Sequence, residues 1–319
     1  VYQGLSTDYA GIGTPYWALL LSQSCRSQGY KVGILDILAE GISRKDAVER
    51  IKTLNPRLIS VCVYGENVNS GTTQMSGAVK LANLIKESGI DIPISFVGSH
   101  VQALPYKVLN EEPNIDIIFT NEGVYSLWNI LKLNDFTDIK QLETINGIGF
   151  IKDGKPFLTK PEKIVPNDRM DLDLPGYAWD LLPYKETPFD LYRSPMWHGE
   201  YDHDKRTPYA ALYTSLGCVF QCEFCMINIL NRDDNEEIGV AGNYNKMRFW
   251  SPEFIIKEFD KLIEMGVETI RIADEMFLLN PKYYIPLVDL LAERNKKDNL
   301  RIWAYSRVDT IRRPGILKN

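Results

Sequence analysis

The sequence predicts two α/β units in tandem: an open, doubly wound parallel sheet, then part of a (β/α) barrel that stops early. Three observations predict this. Strand-like and helix-like segments alternate through the first 145 residues and again from residue 209, and such alternation builds parallel βαβ units. The two stretches are separated by a hairpin signal and a long irregular segment. A chain of 319 residues has room for about two domains. The expected division is 1–145, a connector at 146–208, and 209–319.

In the first unit, Thr14-Pro15 opens a helix through Tyr16, Trp17, Leu20, Leu21 and Ser24 that stops at Gly29. Tyr30–Ile37 reads as a strand. Ser43 and Asp46 have capping-box spacing ahead of a helix through Val48 and Ile51 to Leu54. Arg57–Tyr64 is an apolar run of buried-strand type. A helix from Thr72 to Ser88 ends before Gly89, and Ile92–Gly98 is the next strand. A short helix follows near Leu104–Leu109, then a strand at Ile115–Phe119 and a helix at Val124–Leu133. The order specifies a Rossmann- or flavodoxin-like sheet with helices on both faces, and a further strand is expected ahead of Val1. Ligands of such sheets bind beyond the strand C-termini. That singles out the loops Tyr64-Gly65-Glu66-Asn67, Gly98-Ser99-His100-Val101 and Asn121-Glu122-Gly123. Their glycines would let a backbone approach a ligand closely, although they are also ordinary turn residues.

In the connector, Ile148–Ile151 and Pro156–Leu158 flank Asp153-Gly154, a hairpin turn pair. Pro161 to Pro208 is irregular and rich in Pro, Tyr, Trp and Asp; so long a loop is usually functional or wraps another domain. Its aromatics Tyr177, Trp179, Tyr184, Tyr192 and Trp197 are expected to pack it onto both units. There is no internal repeat or low-complexity tract.

In the second unit, Tyr209–Thr214 is a strand. Ser251-Pro252 is an N-cap and first helical residue, and Phe254, Ile255, Phe259, Leu262 and Ile263 recur at helical period up to Gly266. Thr269–Asp274 is the next strand, a helix follows Pro281, and Arg301–Ser306 is the third strand. Barrel chemistry sits at strand C-termini. Cys218, Asp274-Glu275 and Ser306-Arg307 all fall there. Only three strands precede Asn319, so the barrel is expected to be truncated.

The formal net charge is −6 and there is no basic run, which argues against a broad nucleic-acid footprint. No apolar stretch has the length of a membrane span, and no signal peptide is seen. Five cysteines without a disulfide framework fit a reducing, cytoplasmic setting. Cys25 and Cys62 lie on apolar faces and are expected in the core.

The other three, Cys218, Cys222 and Cys225, share one Cys-x3-Cys-x2-Cys loop. Thiolates are soft ligands that hold iron–sulfur centres or zinc. The same spacing also lies on one helix face and could be a core stripe. A structural zinc site wants four protein ligands, and His100, His198 and His203 supply no obvious second pair. Three ligands without a fourth suggest a cluster with one open iron.

This loop, with Phe224 just before its last cysteine, resembles the radical S-adenosylmethionine (SAM) superfamily. Leu216 and Val219 depart mildly, standing where relatives often carry Arg and Pro. The resemblance implies a [4Fe-4S] cluster on Cys218, Cys222 and Cys225, with SAM chelating the open iron. Reductive cleavage would then yield methionine and a 5′-deoxyadenosyl radical. It also implies cofactor contacts from Phe224, Asp274, Glu275, Ser306 and Arg307. Asp274 or Glu275 would accept from the SAM ammonium, and Arg307 would pair with its carboxylate. Against these roles stand a solvated acidic loop and a surface pair of Arg307 with Asp309.

Gly98-Ser-His100 with Ala103-Leu-Pro105, and Asn121-Glu-Gly123, resemble segments of the cobalamin-binding domain that precedes many radical SAM barrels. The Asp-x-His-x-x-Gly motif that puts histidine on cobalt is absent, and Asp202-His203-Asp204 does not fit it. The resemblance therefore implies cobalamin with no histidine below the metal, or a cobalamin-like scaffold. It points to methyl transfer to an unactivated carbon of a small-molecule or peptide substrate. The electron donor would be a flavodoxin or ferredoxin, and the cluster low in potential and oxygen-labile. Alternatives are a radical SAM cyclase, rearrangement or thiolation enzyme, or a non-catalytic cluster- or cobalamin-binding module. No residue stands out as a general base or nucleophile.

Overall fold

The computed structural model describes residues 12–65, 68–184, 192, 208–233, 245–298 and 300–312. Glu66, Trp197, His198 and the Asp202–Asp204 segment, all singled out above, lie outside these residues.

Five strands form the first sheet in the order β1-β2-β3-β4-β5. Strands β1 (Ile59–Cys62), β2 (Ile94–Val97) and β3 (Ile117–Phe119) are parallel; β4 (Ile148–Lys152) and β5 (Lys155–Leu158) add antiparallel. Their helices are α1 (Tyr16–Ser27), α2 (Arg44–Leu54), α3 (Gly71–Glu87), α4 (Ser99–Ala103), α5 (Pro105–Glu111), α6 (Val124–Leu131) and α7 (Ile139–Leu142). Ser43 and Asp46 form the expected capping box on α2. Asp153 and Gly154 both take positive φ, which makes the tight hairpin turn. The hairpin was expected in the connector; Phe119↔Ile148 pairing makes it the continuation of the first sheet.

One expectation is corrected here. Tyr30–Ile37 does not form a strand: it runs extended with a single bridge residue at Asp36. A strand exists only where a neighbour completes the ladder, and alternation alone cannot supply one. The helix expected near Leu104–Leu109 is α5, opened by Pro105, and a further short helix, α4, starts directly after Gly98.

The second sheet has the order β10-β9-β6, all parallel: β6 (Tyr209–Leu212), β9 (Thr269–Ile272) and β10 (Arg301–Ala304). Helix α9 (Pro252–Glu264) links β6 to β9 and α10 (Pro281–Asp298) links β9 to β10; the two helices pack together. Ser251 caps α9 through the Phe254 N–H. Short α8 (Met170–Asp173) precedes these elements and α11 (Val308–Ile311) follows them. An antiparallel ribbon of β7 (Ser215–Gly217) and β8 (Met247–Phe249) was not expected. Three-residue strands far apart in sequence carry no periodic signal. No closed barrel forms among the described residues.

Helix α1 is the wedge between the sheets, which explains why nearly all of it is buried. Trp17 stacks on Tyr64 beyond β1 at 5.2 Å, while Tyr16 meets Tyr213 beyond β6 at 4.8 Å. One apolar core therefore runs from α1 and β3 into β6, β9 and α9; a smaller one lies among α2, α3, α5 and the first sheet. The connector aromatics pack as expected at Tyr177, Trp179 and Tyr192, which are buried. Tyr177 stacks on Trp179 at 4.9 Å, and Trp179 Nε1 donates to Glu258 at 3.0 Å. Cys25 and Cys62 are free and buried, and burial pushes their thiols up to about 12 and about 11. No helix among the described residues is long and apolar enough to cross a membrane.

Candidate functional site

The C-terminal ends of the two parallel sheets meet at the cysteine loop. The chain leaves β6 at Tyr213, bends through Thr214 into β7 and enters the loop at Cys218. Asp274, beyond β9, fixes that bend. Its buried carboxylate accepts from the Thr214 N–H, the Thr214 hydroxyl and the Ser215 hydroxyl, each at 2.6 Å. Burial pushes its pKa up, and these donors pull it back. Asp274 or Glu275 was expected to accept from the SAM ammonium; in this structure Asp274 accepts from three donors of the chain and shapes the loop entrance.

Glu275, next in the chain, is only half-buried. Burial raises its carboxyl, against the pull of Arg271. Its charge is felt at both Cys218 and Cys225, so it stands on the cysteine side of the sheet. Burial also raises the thiols of Cys218 and Cys225, while the Phe220 and Ile227 backbone N–H groups bond to the two sulfurs and favour thiolate. Phe224 is 81% exposed beside Cys225. Arg307 lies over the Phe220 ring at 4.3 Å and forms a two-pronged pair with Asp309 at 3.0 and 3.1 Å. The surface pairing weighed for Arg307 is thus the one present, with its guanidinium held against the cysteine loop. Ser306 precedes it, half-buried.

The first sheet brings three loops to the same region. Gly98 has room for no side chain because a Cβ there would strike the Val63 carbonyl, and one at Gly65 would strike Ser70. Gly123 sits at φ +81° against Phe119 and Val97. At these glycines the close approach is to the protein's own backbone and side chains. Tyr64 is buried, and its hydroxyl accepts from Gln102 at 3.0 Å. His100 meets the Thr72 hydroxyl at 3.0 Å, and burial lowers its pKa. Ser99 is buried beside Gly71.

Asn121 and Glu122, expected at a ligand, tie their loop to the rest of the fold. Asn121 accepts from Gly123 N at 3.0 Å and donates to the Glu162 and Arg232 carbonyls at 2.7 and 3.2 Å. Glu122 is buried against Arg248 of β8. A short polar loop looks the same in sequence whether it faces a ligand or another loop.

Among the described residues, no group of three or more His, Cys, Asp or Glu side chains stands close enough to hold a metal ion. The donor set nevertheless suits an open-cornered iron–sulfur cluster. Three unbridged thiols share one loop, lie within each other's field, and two receive backbone N–H groups.

Over residues 2–130 the sequence matches the B12 binding domain family. That match spans the three loops just described. Across 93% of its length the chain is 26% identical to an uncharacterized methyltransferase of Pyrococcus horikoshii, covering 56% of that protein. It is 21% identical over 98% of its length to an anaerobic magnesium-protoporphyrin IX monomethyl ester cyclase of Cereibacter sphaeroides, covering 45% of it. The chain thus spans about half the length of these relatives. Its fold is that of the cobalamin-dependent SAM radical enzyme OxsB (TM-score 0.67, 19% identity, 92% of this chain and 36% of OxsB). The radical SAM methyltransferase TsrM of Kitasatospora setae, with cobalamin and a [4Fe-4S] cluster bound, superposes at TM-score 0.61, with 15% identity over 91% of this chain and 53% of TsrM.

Two contacts between the first unit and the cysteine loop were missed in the sequence. Asn69 touches the backbone on both sides of Cys225. Helix α4 packs against the turn Ile227–Asn231 that follows it. A lone asparagine in a loop carries no pattern, so nothing in the sequence marked it.

Proposed function

We propose that this chain is the cofactor-bearing part of a radical SAM methyltransferase that acts on an unactivated carbon. The observation that carries the proposal is the junction itself: a three-cysteine loop at the mouth of a parallel sheet, fastened by loops of a B12-binding domain. Cys218, Cys222 and Cys225 would hold the [4Fe-4S] cluster. Glu275 would face the SAM ammonium. The loops at Tyr64-Gly65, Gly98–His100 and Asn121–Gly123 would flank cobalamin. When bound, the cluster supplies the electron that cleaves SAM and cobalamin supplies the transferable methyl group. The protein's own share is binding, orientation and water exclusion. The buried wedge of α1 holds the two sheets at a fixed separation, and Asp274 sets the path of the loop. Exposed Phe224 would cover one side of the SAM site. The substrate would be a small molecule or peptide, and the reductant a flavodoxin or ferredoxin in the cytoplasm.

Anaerobic reconstitution of the protein with iron, sulfide and cobalamin tests this reading. Formation of methionine, 5′-deoxyadenosine and S-adenosylhomocysteine, with cobalamin retained, is the expected result. No cobalamin uptake would overturn methyl transfer. The similarity to a cyclase supports the second reading. In that case 5′-deoxyadenosine forms without S-adenosylhomocysteine.

A further inference from the structure

We propose that Asn69, in the B12-binding domain, is a positioning residue for the iron–sulfur loop. Its carboxamide grips the chain on both sides of Cys225: Nδ2 donates to the Phe224 carbonyl at 3.3 Å, and Oδ1 accepts from the Met226 N–H at 2.9 Å. A carboxamide offers one donor and one acceptor in a fixed plane, and this pair uses both on the peptide units that flank one cysteine. The residue making the grip is itself held. Val68 before it is buried in the main core, and Ser70 after it leads straight into the seventeen-residue helix α3. The Thr73 hydroxyl bonds the Ser70 carbonyl at 2.7 Å and stiffens the same turn. Helix α4, from the neighbouring loop of the same domain, packs on the turn after Cys225. The position of the Cys225 sulfur is therefore set from the first sheet as well as by its own loop. Whatever shifts the loop after β1 also moves one corner of the cluster.

The inference rests on Cys225 being a cluster ligand, and the test separates the two claims. Hydrogen exchange at the Met226 amide is measured in the metal-free protein. Asn69→Ala is expected to exchange about fivefold faster there, the factor that a net hydrogen bond of about 1 kcal/mol represents. Asn69→Asp keeps the acceptor and is expected to keep the protection. Should Asn69→Ala not fold, Asn69→Ser, too short to reach both groups, carries the same comparison. After anaerobic reconstitution, Asn69→Ala is expected to shift the cluster's reduction potential and its electron paramagnetic resonance spectrum at unchanged iron content. Unchanged exchange at Met226 overturns the grip. Faster exchange with an unaltered potential and spectrum overturns the positioning role. If the wild-type protein takes up no cluster, the functional reading fails and the positioning role fails with it, whatever the exchange shows.

Discussion

Glu122 and Arg248 form a charge pair at 2.7 Å with side chains only 1% and 3% exposed, joining the loop after β3 to the ribbon that carries the cysteine loop. Arg248 also donates to the Val165 carbonyl at 2.8 Å and to Asn231 at 3.1 Å, and Glu122 accepts from Val165 N at 2.7 Å. Removing one partner strands a buried charge. Glu122→Ala is expected to lower the unfolding free energy by about 3–5 kcal/mol. Glu122→Leu with Arg248→Met should recover most of it. Urea unfolding of the wild type, Glu122→Ala and the double variant checks both expectations.

Asp274→Ala should cost about 2–4 kcal/mol, since its bonds to Thr214 and Ser215 are charge-assisted and buried. Asp274→Asn keeps an acceptor for one hydroxyl and should lose less. Iron bound after reconstitution should fall in the same order, because the bend leads directly into Cys218. Equal iron uptake in all three proteins would contradict this account.

Glu275 makes the contrasting case. Glu275→Gln is expected to leave stability within about 0.5 kcal/mol, as for a surface change. Under the proposed function it weakens SAM binding tenfold or more, the loss of one bond to a charged group worth about 1.5–3 kcal/mol. Calorimetric titration of the reconstituted protein with SAM measures the difference.

Changing Cys218, Cys222 or Cys225 singly to Ser should each abolish the cluster. Cys25→Ser should leave iron content unchanged, since that thiol is buried in the core away from the loop. Iron and sulfide analysis separates the two classes.

Asp36 gives a pH dependence. It is fully buried beside Tyr184 and Tyr192, and burial pushes its pKa up to about 7. Its unfolded value is about 3.9. Between these values the folded state holds a proton that the unfolded state has released. The contribution is therefore fully present below pH about 4 and is lost as pH rises through about 7. Asp36→Asn should raise the Tm more at pH 8 than at pH 5. Equal shifts at both pH values would count against a protonated Asp36.

Local patterns were legible wherever one residue's neighbours in sequence are also its neighbours in space. The capping box at Ser43, the Asp153-Gly154 turn and the amphipathic period of α9 are of this kind. So was the place of the cysteine triplet in one loop after a strand, which needs only local spacing. Asp274, Asn121 and Glu122 were found as polar residues at strand ends, but their partners within the chain were not. Each bonds to groups distant in the chain, such as Thr214, Glu162 and Arg248. Asn69 was passed over for the same reason.

By itself the sequence determined the two parallel sheets, the order of their helices, and the thiol loop at a strand end. These follow from backbone preferences and hydrophobic period, which act over a few residues. Only the tertiary structure decided that the hairpin at 148–158 extends the first sheet, that α1 is a wedge between two sheets, and that Asp274 holds the bend at Thr214. Those outcomes depend on which buried polar groups find partners across the chain, and the requirement that each be satisfied is enforced only once the core has closed.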